Sequence, residues 1–166
     1  MINFKIAFLL FLSPMWPLGN AEDLGDPYVI VNKASNRLAF IEEGKITEVY
    51  KVATGKSSEL TPEGQFTITV KAVDPYYRKK DIPGGDKSNP LGTRWIGFDA
   101  NNTDGRTFGI HGNNNPSSIG RFVTAGCIRM YEKDVQKIYS KIKIGTQIKV
   151  ISTNKSFQEY MKERSE

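Results

Sequence analysis

The sequence has very little cysteine and histidine, two side chains that often take part in catalysis. Its 166 residues include a single cysteine, Cys127, and a single histidine, His111. With one cysteine no intramolecular disulfide can form, so a small disulfide-stapled scaffold is excluded and the fold must depend on its core. The chain also lacks any apolar run near the roughly 20 residues that span a bilayer as a helix, so no stable membrane insertion is expected.

The N-terminus has the pattern of a targeting segment. One basic residue precedes an apolar run at 6–12, prolines follow, and the stretch then reaches the small residues Gly19 and Ala21. This order predicts a secretory signal peptide over residues 1–21, cleaved after Ala21. We therefore expect an exported protein, located in a periplasm or a Gram-positive cell wall. Residues 22–166 are expected to form one domain and to act as a monomer.

The charge of the chain says little about its partners. The formal net charge is +5, with lysines and arginines scattered along the sequence. Binding to nucleic acid would call for a basic stripe interleaved with exposed aromatic residues, and none is evident. No nucleic-acid partner is expected, whereas attraction to an anionic cell envelope fits the charge.

Short apolar runs separated by turn residues predict a mainly β domain. The predicted strands cover residues 28–31, 37–41, 46–52, 66–73, 94–98 and 147–151, and a further short apolar run ends at His111. Two helices are expected. An apolar stripe at i, i+3, i+4 and i+7 predicts one packed helix over 131–143, and a charged segment at 156–164 predicts a short C-terminal helix.

The longest irregular stretch covers residues 74–90 and is rich in proline, glycine and charge. Loops of this length in a compact domain are usually functional lids or are disordered. The lid interpretation is favoured because the loop leads directly into the predicted strand that contains Trp95.

The cysteine lies in a setting that suits a nucleophile. Gly126 precedes it, and the predicted helix follows shortly after. The thiolate is the reactive form, and nearby cations or a helix N-terminus lower the thiol pKa. The backbone amides of Gly126 and Cys127 can point at a developing oxyanion. The alternative is a buried structural thiol. An unpaired thiol in an exported chain is exposed to oxidation, which favours a functional role.

His111 ends an apolar run and is followed by a turn that begins at Gly112. A neutral imidazole there can accept the thiol proton, as in other Cys-His enzymes. A histidine at a strand end is, by itself, more often structural than catalytic. The catalytic interpretation of His111 therefore depends on the presence of Cys127.

Metal sites fit the sequence poorly. A zinc site would need two carboxylate ligands besides His111 and Cys127, which is an unusual mixture. The acidic turn at 99–105 lacks the glycine and glutamate positions of a calcium loop. No metal and no cofactor are expected.

Several short motifs occur in one order along the chain. They are Val52-Ala53-Thr54-Gly55-Lys56, Thr61-Pro62-Glu63-Gly64-Gln65-Phe66, Asn89-Pro90-Leu91-Gly92-Thr93-Arg94-Trp95, Ile110-His111-Gly112, Pro116, Ser118-Ile119-Gly120, Gly126-Cys127-Ile128-Arg129-Met130 and Asp134-Val135. Together they resemble the L,D-transpeptidase catalytic domain family, the enzymes that crosslink bacterial peptidoglycan. The resemblance implies a mainly β, sandwich-like domain.

The resemblance also implies a two-step acyl transfer on peptidoglycan stem peptides. Cys127 would attack the L-centre carbonyl of the third stem residue and release D-alanine. The acyl group would pass to an amine of another stem, giving a 3-3 crosslink, or to a D-amino acid. His111 would shuttle the proton, the Gly112 carbonyl would orient the imidazole, and the Gly126 and Cys127 amides would form the oxyanion hole.

Arg129, Asn113 and Trp95 are the substrate-binding residues that the resemblance implies. Arg129 can form a two-pronged contact with a carboxylate, and the alternative is a structural salt bridge near the helix start. One position departs from the family, because the residue two before the cysteine is commonly histidine and here is Ala125. His111 is then the only histidine base.

Two other functions remain open from the sequence. Water as the acceptor would make the same acyl-enzyme chemistry an L,D-carboxypeptidase. A domain that has lost catalysis would be a cell-wall-binding module, although both Cys127 and His111 are present.

Overall fold

The computed structural model of the chain describes residues 24–165. The predicted signal peptide, residues 1–21, lies outside the described residues. Between residues 24 and 165 no helix is both long and apolar enough to cross a bilayer.

The described chain is mainly β with two α-helices, which confirms the predicted fold class. The strands are β1 (Tyr28–Asn32), β2 (Arg37–Glu42), β3 (Lys45–Lys51), β4 (Thr54–Gly55), β5 (Gly64–Val73), β6 (Arg94–Phe98), β7 (Phe108–His111), β8 (Phe122–Thr124), β9 (Ile128–Arg129) and β10 (Gln147–Ile151). The helices are α1 (Glu132–Lys141) and α2 (Phe157–Ser165).

Eight strands form one mixed sheet in the order β3-β2-β1-β10-β5-β6-β7-β9. The β1–β2 and β2–β3 pairs are antiparallel hairpins, while β10 joins β1 in parallel. Strands β5, β6 and β7 continue the sheet as an antiparallel series, and β9 adds in parallel to β7. The two short strands β4 and β8 pair separately.

The two edges of the large sheet meet. Ala53, which follows β3, forms an antiparallel bridge with Arg129 of β9. The Ala53 N–H donates to the Arg129 carbonyl at 2.8 Å, and the Arg129 N–H donates to the Ala53 carbonyl at 2.9 Å. The predicted sandwich-like arrangement is therefore one curled sheet, closed by a bridge between the residue that follows its edge strand β3 and the opposite edge strand β9.

The main core fills the inside of this curl. Its buried members include Leu38, Phe40, Ile96, Phe98, Ile110, Ile128, Val135 and Ile138, drawn from strands across the sheet and from α1. Helix α1 presents its apolar stripe to this core, as its periodicity predicts, and ends two residues before the expected bound. The Lys71 ammonium donates to the Tyr139 carbonyl at 2.7 Å and so gives a hydrogen-bond donor to a carbonyl in the last turn of the helix.

A smaller core lies on the other face of β1, β2 and β10. Ile30, Ala39, Ile41 and Ile151 form it, and Phe157 of α2 covers it with only 7% of its surface exposed. The sequence of α2 is charged, and its anchoring depends on a few apolar residues. Burial of a phenylalanine of this kind stabilises the docked helix by roughly 2 kcal/mol.

The loop at 74–90 is ordered. The Asn89 side chain is 1% exposed and donates hydrogen bonds to the carbonyls of Pro75 (2.8 Å) and Pro83 (3.1 Å). Within the loop, Tyr77 and Ile82 form an isolated bridge around a 3-10 turn at Arg78–Lys80. Its role as a lid remains a prediction.

Candidate functional site

The register of three strands places the predicted site residues side by side. Trp95 of β6 pairs with His111 of β7, and His111 pairs with Arg129 of β9. Residues paired in register point to the same face of a sheet, and so do residues two apart in a strand. Cys127, two residues before Arg129, therefore shares this face with His111. The intervening Ile128 points into the core.

Cys127 is half-buried beside the start of β7. Its thiol lies 3.5 Å from the Thr107 carbonyl, which accepts its weak hydrogen bond. Burial raises the pKa of the Cys127 thiol, and the backbone of Gly109 and the charges of Lys79 and Arg129 oppose that shift only in part. The resting cysteine is a neutral thiol at pH 7.

The turn that presents the cysteine is tied by two threonines. The Thr124 hydroxyl accepts the Gly126 N–H at 3.1 Å and donates to the Cys127 carbonyl at 2.6 Å. The Thr61 hydroxyl donates to the Gly126 carbonyl at 3.1 Å and accepts the Gly55 N–H at 2.9 Å. These contacts bear on the predicted oxyanion hole, which stays a prediction. The Gly126 N–H already has an acceptor inside the turn, which leaves the Cys127 N–H as the donor for a developing oxyanion.

Position 126 requires glycine for two independent reasons. Its φ is +129°, a conformation that side chains disfavour. A Cβ atom there would also lie 2.4 Å from the Leu60 carbonyl oxygen. The Gly-Cys turn is thus fixed by close packing against the loop after β4.

His111 is held as a neutral base. Its side chain is 4% exposed, and its Nδ1 lies 2.7 Å from the Gly112 carbonyl. Because a carbonyl only accepts, Nδ1 carries the proton and Nε2 has the free lone pair. Burial lowers the His111 pKa to about 4, hydrogen bonds with the backbone of Gly112 and Leu91 oppose this, and the Arg129 charge adds to it.

Trp95 supports the imidazole. Its ring stacks on His111 with centroids 5.6 Å apart and planes 16° apart. The indole N–H donates to the Gly105 carbonyl at 2.9 Å, and the ring lies where a Cβ on Gly109 would fall. Only 8% of Trp95 is exposed. This differs from the predicted substrate-binding role, because a covered ring has little surface for a ligand and instead fixes the base.

Asn113 is also placed differently from the prediction. Its side chain is 6% exposed, and its Nδ2 donates to the Met130 carbonyl. Its backbone N–H donates to Glu132 Oε1 at 2.8 Å. The residue is packed inside the turn after β7, so the structure assigns it to the framework that holds His111 rather than to the open site.

Glu132 is the residue that sequence reasoning missed. Its carboxylate accepts the Asn113 N–H and, at 2.7 Å, the Thr93 hydroxyl. The carboxylate occupies a space that is open only because Gly92 and Gly112 lack side chains. A Cβ atom on either glycine would lie within 1.8 Å of Glu132 Oε1. An acidic residue at the first turn of α1 was visible in the sequence, but its distant partners were not.

Arg129 forms no ion pair with the part of the chain that the structure describes. Between residues 24 and 165 no carboxylate lies within ion-pair distance of it, and its Nε is buried with no hydrogen-bond partner. Burial lowers the Arg129 pKa, while the neighbouring Cys127 and Tyr77 oppose the shift. The predicted alternative of a structural salt bridge is therefore not what the structure shows. Nearby, the side chain of Ala125 is exposed.

The described residues contain no group of three or more His, Cys, Asp or Glu side chains arranged to hold a metal ion. The chemistry that this arrangement can perform is a nucleophilic attack by a thiol, with a neutral imidazole on the next strand and, on the same face, a guanidinium that forms no ion pair within residues 24–165.

Residues 26–150 match the family model of the L,D-transpeptidase catalytic domain, YkuD. A Bacillus subtilis (strain 168) protein that carries the provisional name L,D-transpeptidase YqjB is 54% identical over 156 residues, which cover 94% of this chain and 89% of that protein. L,D-transpeptidase YkuD of the same strain, also provisionally named, is 33% identical over 132 residues, covering 76% of this chain and 70% of that protein.

Solved structures show the same fold at low sequence identity. The catalytic domain of the Enterococcus faecium L,D-transpeptidase is 21% identical with a TM-score of 0.58, and the match covers 76% of this chain and 97% of that domain. An L,D-transpeptidase of Stackebrandtia nassauensis is 20% identical with a TM-score of 0.60, covering 82% of this chain and 62% of that one. With the family model matched over most of its length, the chain belongs to the L,D-transpeptidase catalytic domain family.

Proposed function

We propose that this protein is an exported peptidoglycan L,D-transpeptidase with Cys127 as its nucleophile and His111 as its general base. The observation that carries the proposal is the position of the neutral imidazole. Its Nδ1–H is tied to the Gly112 carbonyl, so Nε2 is the basic atom on the face that it shares with Cys127. Family membership supports the substrate class, and the geometry supports the roles.

The acylation step begins with the neutral pair. As Cys127 Sγ attacks the L-centre carbonyl carbon of the third stem residue, His111 Nε2 takes the thiol proton. The carbonyl oxygen becomes an oxyanion, which the Cys127 N–H can stabilise. When the intermediate collapses, the C–N bond to the terminal D-alanine breaks. The imidazolium returns its proton to the leaving nitrogen, and a thioester remains on Cys127.

The deacylation step repeats this chemistry with a new nucleophile. An amine of a second stem attacks the thioester carbonyl, His111 accepts its proton, and the C–S bond breaks. The sulfur leaves as a thiolate and regains the proton from His111. Because the resting groups are both neutral, each proton transfer accompanies a heavy-atom step.

The surface beside the cysteine favours a bulky acceptor. Ala125 is exposed, and the neighbouring Phe122 and Val123 of β8 are 54% and 44% exposed. An open, partly apolar surface can bind a second peptide stem. It does not keep other nucleophiles out, as an enzyme that uses only water as the acceptor would need to do. This supports transpeptidation over the L,D-carboxypeptidase alternative.

The test is to incubate the mature protein with purified tetrapeptide-stem muropeptides and to identify the products by mass spectrometry. Crosslinked dimer with loss of D-alanine is the expected result. Tripeptide alone would replace the proposal with a carboxypeptidase, and unchanged substrate bound to the protein would replace it with a wall-binding module.

Two variants assign the roles in the same assay. Cys127→Ala is expected to abolish the thioester, and His111→Ala is expected to slow its formation about 10²–10⁴-fold, the usual contribution of a general base. An unimpaired His111 variant would remove His111 from the mechanism. The export proposal is tested separately, since the secreted protein should begin at Glu22.

A further inference from the structure

One peptide group joins His111 to an acid on another element. The Gly112 carbonyl and the Asn113 N–H belong to the same trans peptide group, so they point in opposite directions. The carbonyl accepts the His111 Nδ1–H at 2.7 Å, and the N–H donates to Glu132 Oε1 at 2.8 Å. A carboxylate at the start of α1 is therefore linked to the imidazole through two hydrogen bonds and one amide.

The second oxygen of Glu132 is also fixed as an acceptor. Oε2 lies 2.7 Å from the Thr93 hydroxyl oxygen and 3.3 Å from the Thr93 backbone nitrogen. Gln136, one turn further along α1, donates its side-chain N–H to the same hydroxyl at 3.1 Å, which directs the hydroxyl proton to Glu132. Between residues 24 and 165 the hydrogen-bond partners of both oxygens are donors, as an ionised carboxylate requires.

The peptide group is held by its other contacts as well. The Gly112 N–H donates to the Arg94 carbonyl at 3.3 Å, and the Asn113 side chain donates to the Met130 carbonyl. A Cβ on Gly112 would lie 1.7 Å from Glu132 Oε1. The carboxylate is thus packed directly against the peptide group that orients the base.

A charge at one end of an amide polarises the other end. When the N–H binds an anion, negative charge increases on the carbonyl oxygen, and hydrogen bonds in a chain strengthen one another in this way. The Gly112 carbonyl then accepts the His111 Nδ1–H more strongly. This favours the imidazolium, because the Nδ1–H of the cation is the stronger donor. The affinity of Nε2 for a proton rises as a result.

We propose that Glu132 is a positioning residue that holds and polarises the Gly112–Asn113 peptide group, and so makes His111 Nε2 a stronger base for the Cys127 thiol. The inference rests on the proposed function, in which His111 is the base, and adds a second residue that controls it. The arrangement is a histidine–carboxylate pair with one peptide group between its members. No proton moves to Glu132, because the amide proton stays on nitrogen and only Nε2 gains and returns the thiol proton.

Other groups around the imidazole stay in place when Glu132 is replaced. They are the Trp95 ring, the Cys127 thiol, the Arg129 guanidinium and the backbone of Leu91 and Gly112. Burial is the largest cause of the lowered His111 pKa, and the charge of Arg129 adds to it. A change in the titration of the ring on replacing Glu132 therefore reports the carboxylate.

The experiment compares the wild type with Glu132→Gln, which removes the charge but keeps the shape and an oxygen for the Asn113 N–H. Asp134→Asn is the matched control, because it removes a carboxylate from the same first turn of α1. The readouts are single-turnover acylation by tetrapeptide-stem muropeptides and NMR of the imidazole. The imidazole signals are unambiguous because His111 is the only histidine.

We expect Glu132→Gln to lower the acylation rate at pH 7 about 3–10-fold with an unchanged apparent KM, because the base is weaker and no substrate contact is lost. The Nδ1–H proton resonance should move upfield as its hydrogen bond weakens. The imidazole should take up its proton at a lower pH than in the wild type, below about 4. Asp134→Asn should match the wild type in all three measurements.

A purely structural role gives the opposite titration. If Glu132→Gln only loosened the turn, water would reach the ring and the His111 pKa would rise from about 4 towards 6.5. Such a rise would overturn the inference, and so would an unchanged rate and resonance or an equal effect of Asp134→Asn. A wild type that acts on no muropeptide would remove the proposed function, while the NMR readout would still decide whether Glu132 acts on His111.

Discussion

Two charged regions of the molecule are built in opposite ways. The Glu48 cluster, formed by Glu48, Tyr50, Lys137 and Lys141, joins β3 to α1 with every charge engaged. Glu48 Oε1 accepts from Lys137 at 2.7 Å and from Lys141 at 2.8 Å, and the Tyr50 hydroxyl donates to Oε2. On the Cys127 face, Arg129 has no such partner among residues 24–165.

The difference separates stability from function. In the Glu48 cluster burial favours the neutral acid, but hydrogen bonds from Lys137, Lys141 and Tyr50 outweigh it and lower the Glu48 pKa to about 2. The cluster therefore stabilises the fold while its carboxylate is charged. The unpaired Arg129 offers the fold no such gain, and sites with unsatisfied groups are where a protein sacrifices stability for binding.

Arg129→Met should break this comparison with the largest effect. We expect the acylation rate with a tetrapeptide-stem donor to fall about 100-fold, because the predicted charge-assisted contact between Arg129 and a substrate carboxylate is lost. The free energy of unfolding should stay the same or rise by up to about 1 kcal/mol, since an unpaired, half-buried cation is removed.

Urea unfolding and acylation kinetics measure both quantities, with Arg37→Met as an exposed control. A loss of stability above about 2 kcal/mol would show that Arg129 supports the fold after all.

The pH dependence of the wild type should show the next largest effect. Since burial holds the His111 pKa near 4 rather than 6.5, the acid limb of kcat/KM should lie near pH 4. At pH 5 this leaves about 30-fold more neutral imidazole than an ordinary histidine would have. Stopped-flow acylation between pH 4 and 8 tests it, and a limb at 6.5 would contradict a buried base.

The same group affects stability with a definite sign. The folded pKa of His111 lies below its unfolded value, so the unfolded state takes up a proton first. The contribution of neutral His111 is complete above pH 6.5 and is lost as the pH falls from 6.5 towards 4.

Glu48→Gln should lower the stability and leave the activity unchanged, which is the converse of the result expected for Arg129→Met. We expect the free energy of unfolding at pH 7 to fall by about 1–3 kcal/mol, because two ion pairs between β3 and α1 are lost, while activity stays unchanged. The Glu48 pKa is lowered from 4.5 to about 2, so the difference from wild type should shrink as the pH falls from 4.5 to 2. Glu42→Gln, on the exposed end of β2, is the control. A constant difference across this range would exclude the ion pairs as its cause.

Ala125→His should have the smallest effect. The side chain is exposed, so the free energy of unfolding should change by less than about 0.5 kcal/mol. In the His111→Ala background the added imidazole should not restore acylation, because an exposed side chain at position 125 lacks the buried, hydrogen-bonded placement of His111. Recovery of the rate in the double variant would show that position 125 can supply the base.

Much of the fold follows from periodicity. The long strands alternate or run apolar over five or more residues, and α1 has a clear stripe, so both were predictable from local sequence. The strands β4, β8 and β9 have only two or three residues, too few for a period to appear. They form because the Ala53–Arg129 bridge and the tied cysteine turn impose extended backbone on them.

The site was predictable where residue type decides chemistry. Cys127 and His111 stand out because each occurs once and each lies next to a glycine turn. The places of Trp95, Asn113 and Glu132 were not predictable, because burial and partners far along the chain decide them. The hydrogen bond from the Gly126 N–H to the Thr124 hydroxyl was likewise not predictable from the sequence.

The bridge between Ala53 and Arg129 has a kinetic consequence. It joins Ala53, just after β3, to Arg129 of β9, and the sheet strands β5, β6 and β7 lie between them in the sequence. Contacts between such distant residues form late, because closing the loop costs conformational entropy before the contact contributes any stabilisation. The closure of the sheet at Ala53 and Arg129 is therefore expected to form late, whereas the β7–β9 pairing that places His111 beside Cys127 joins residues much closer in sequence and can form earlier.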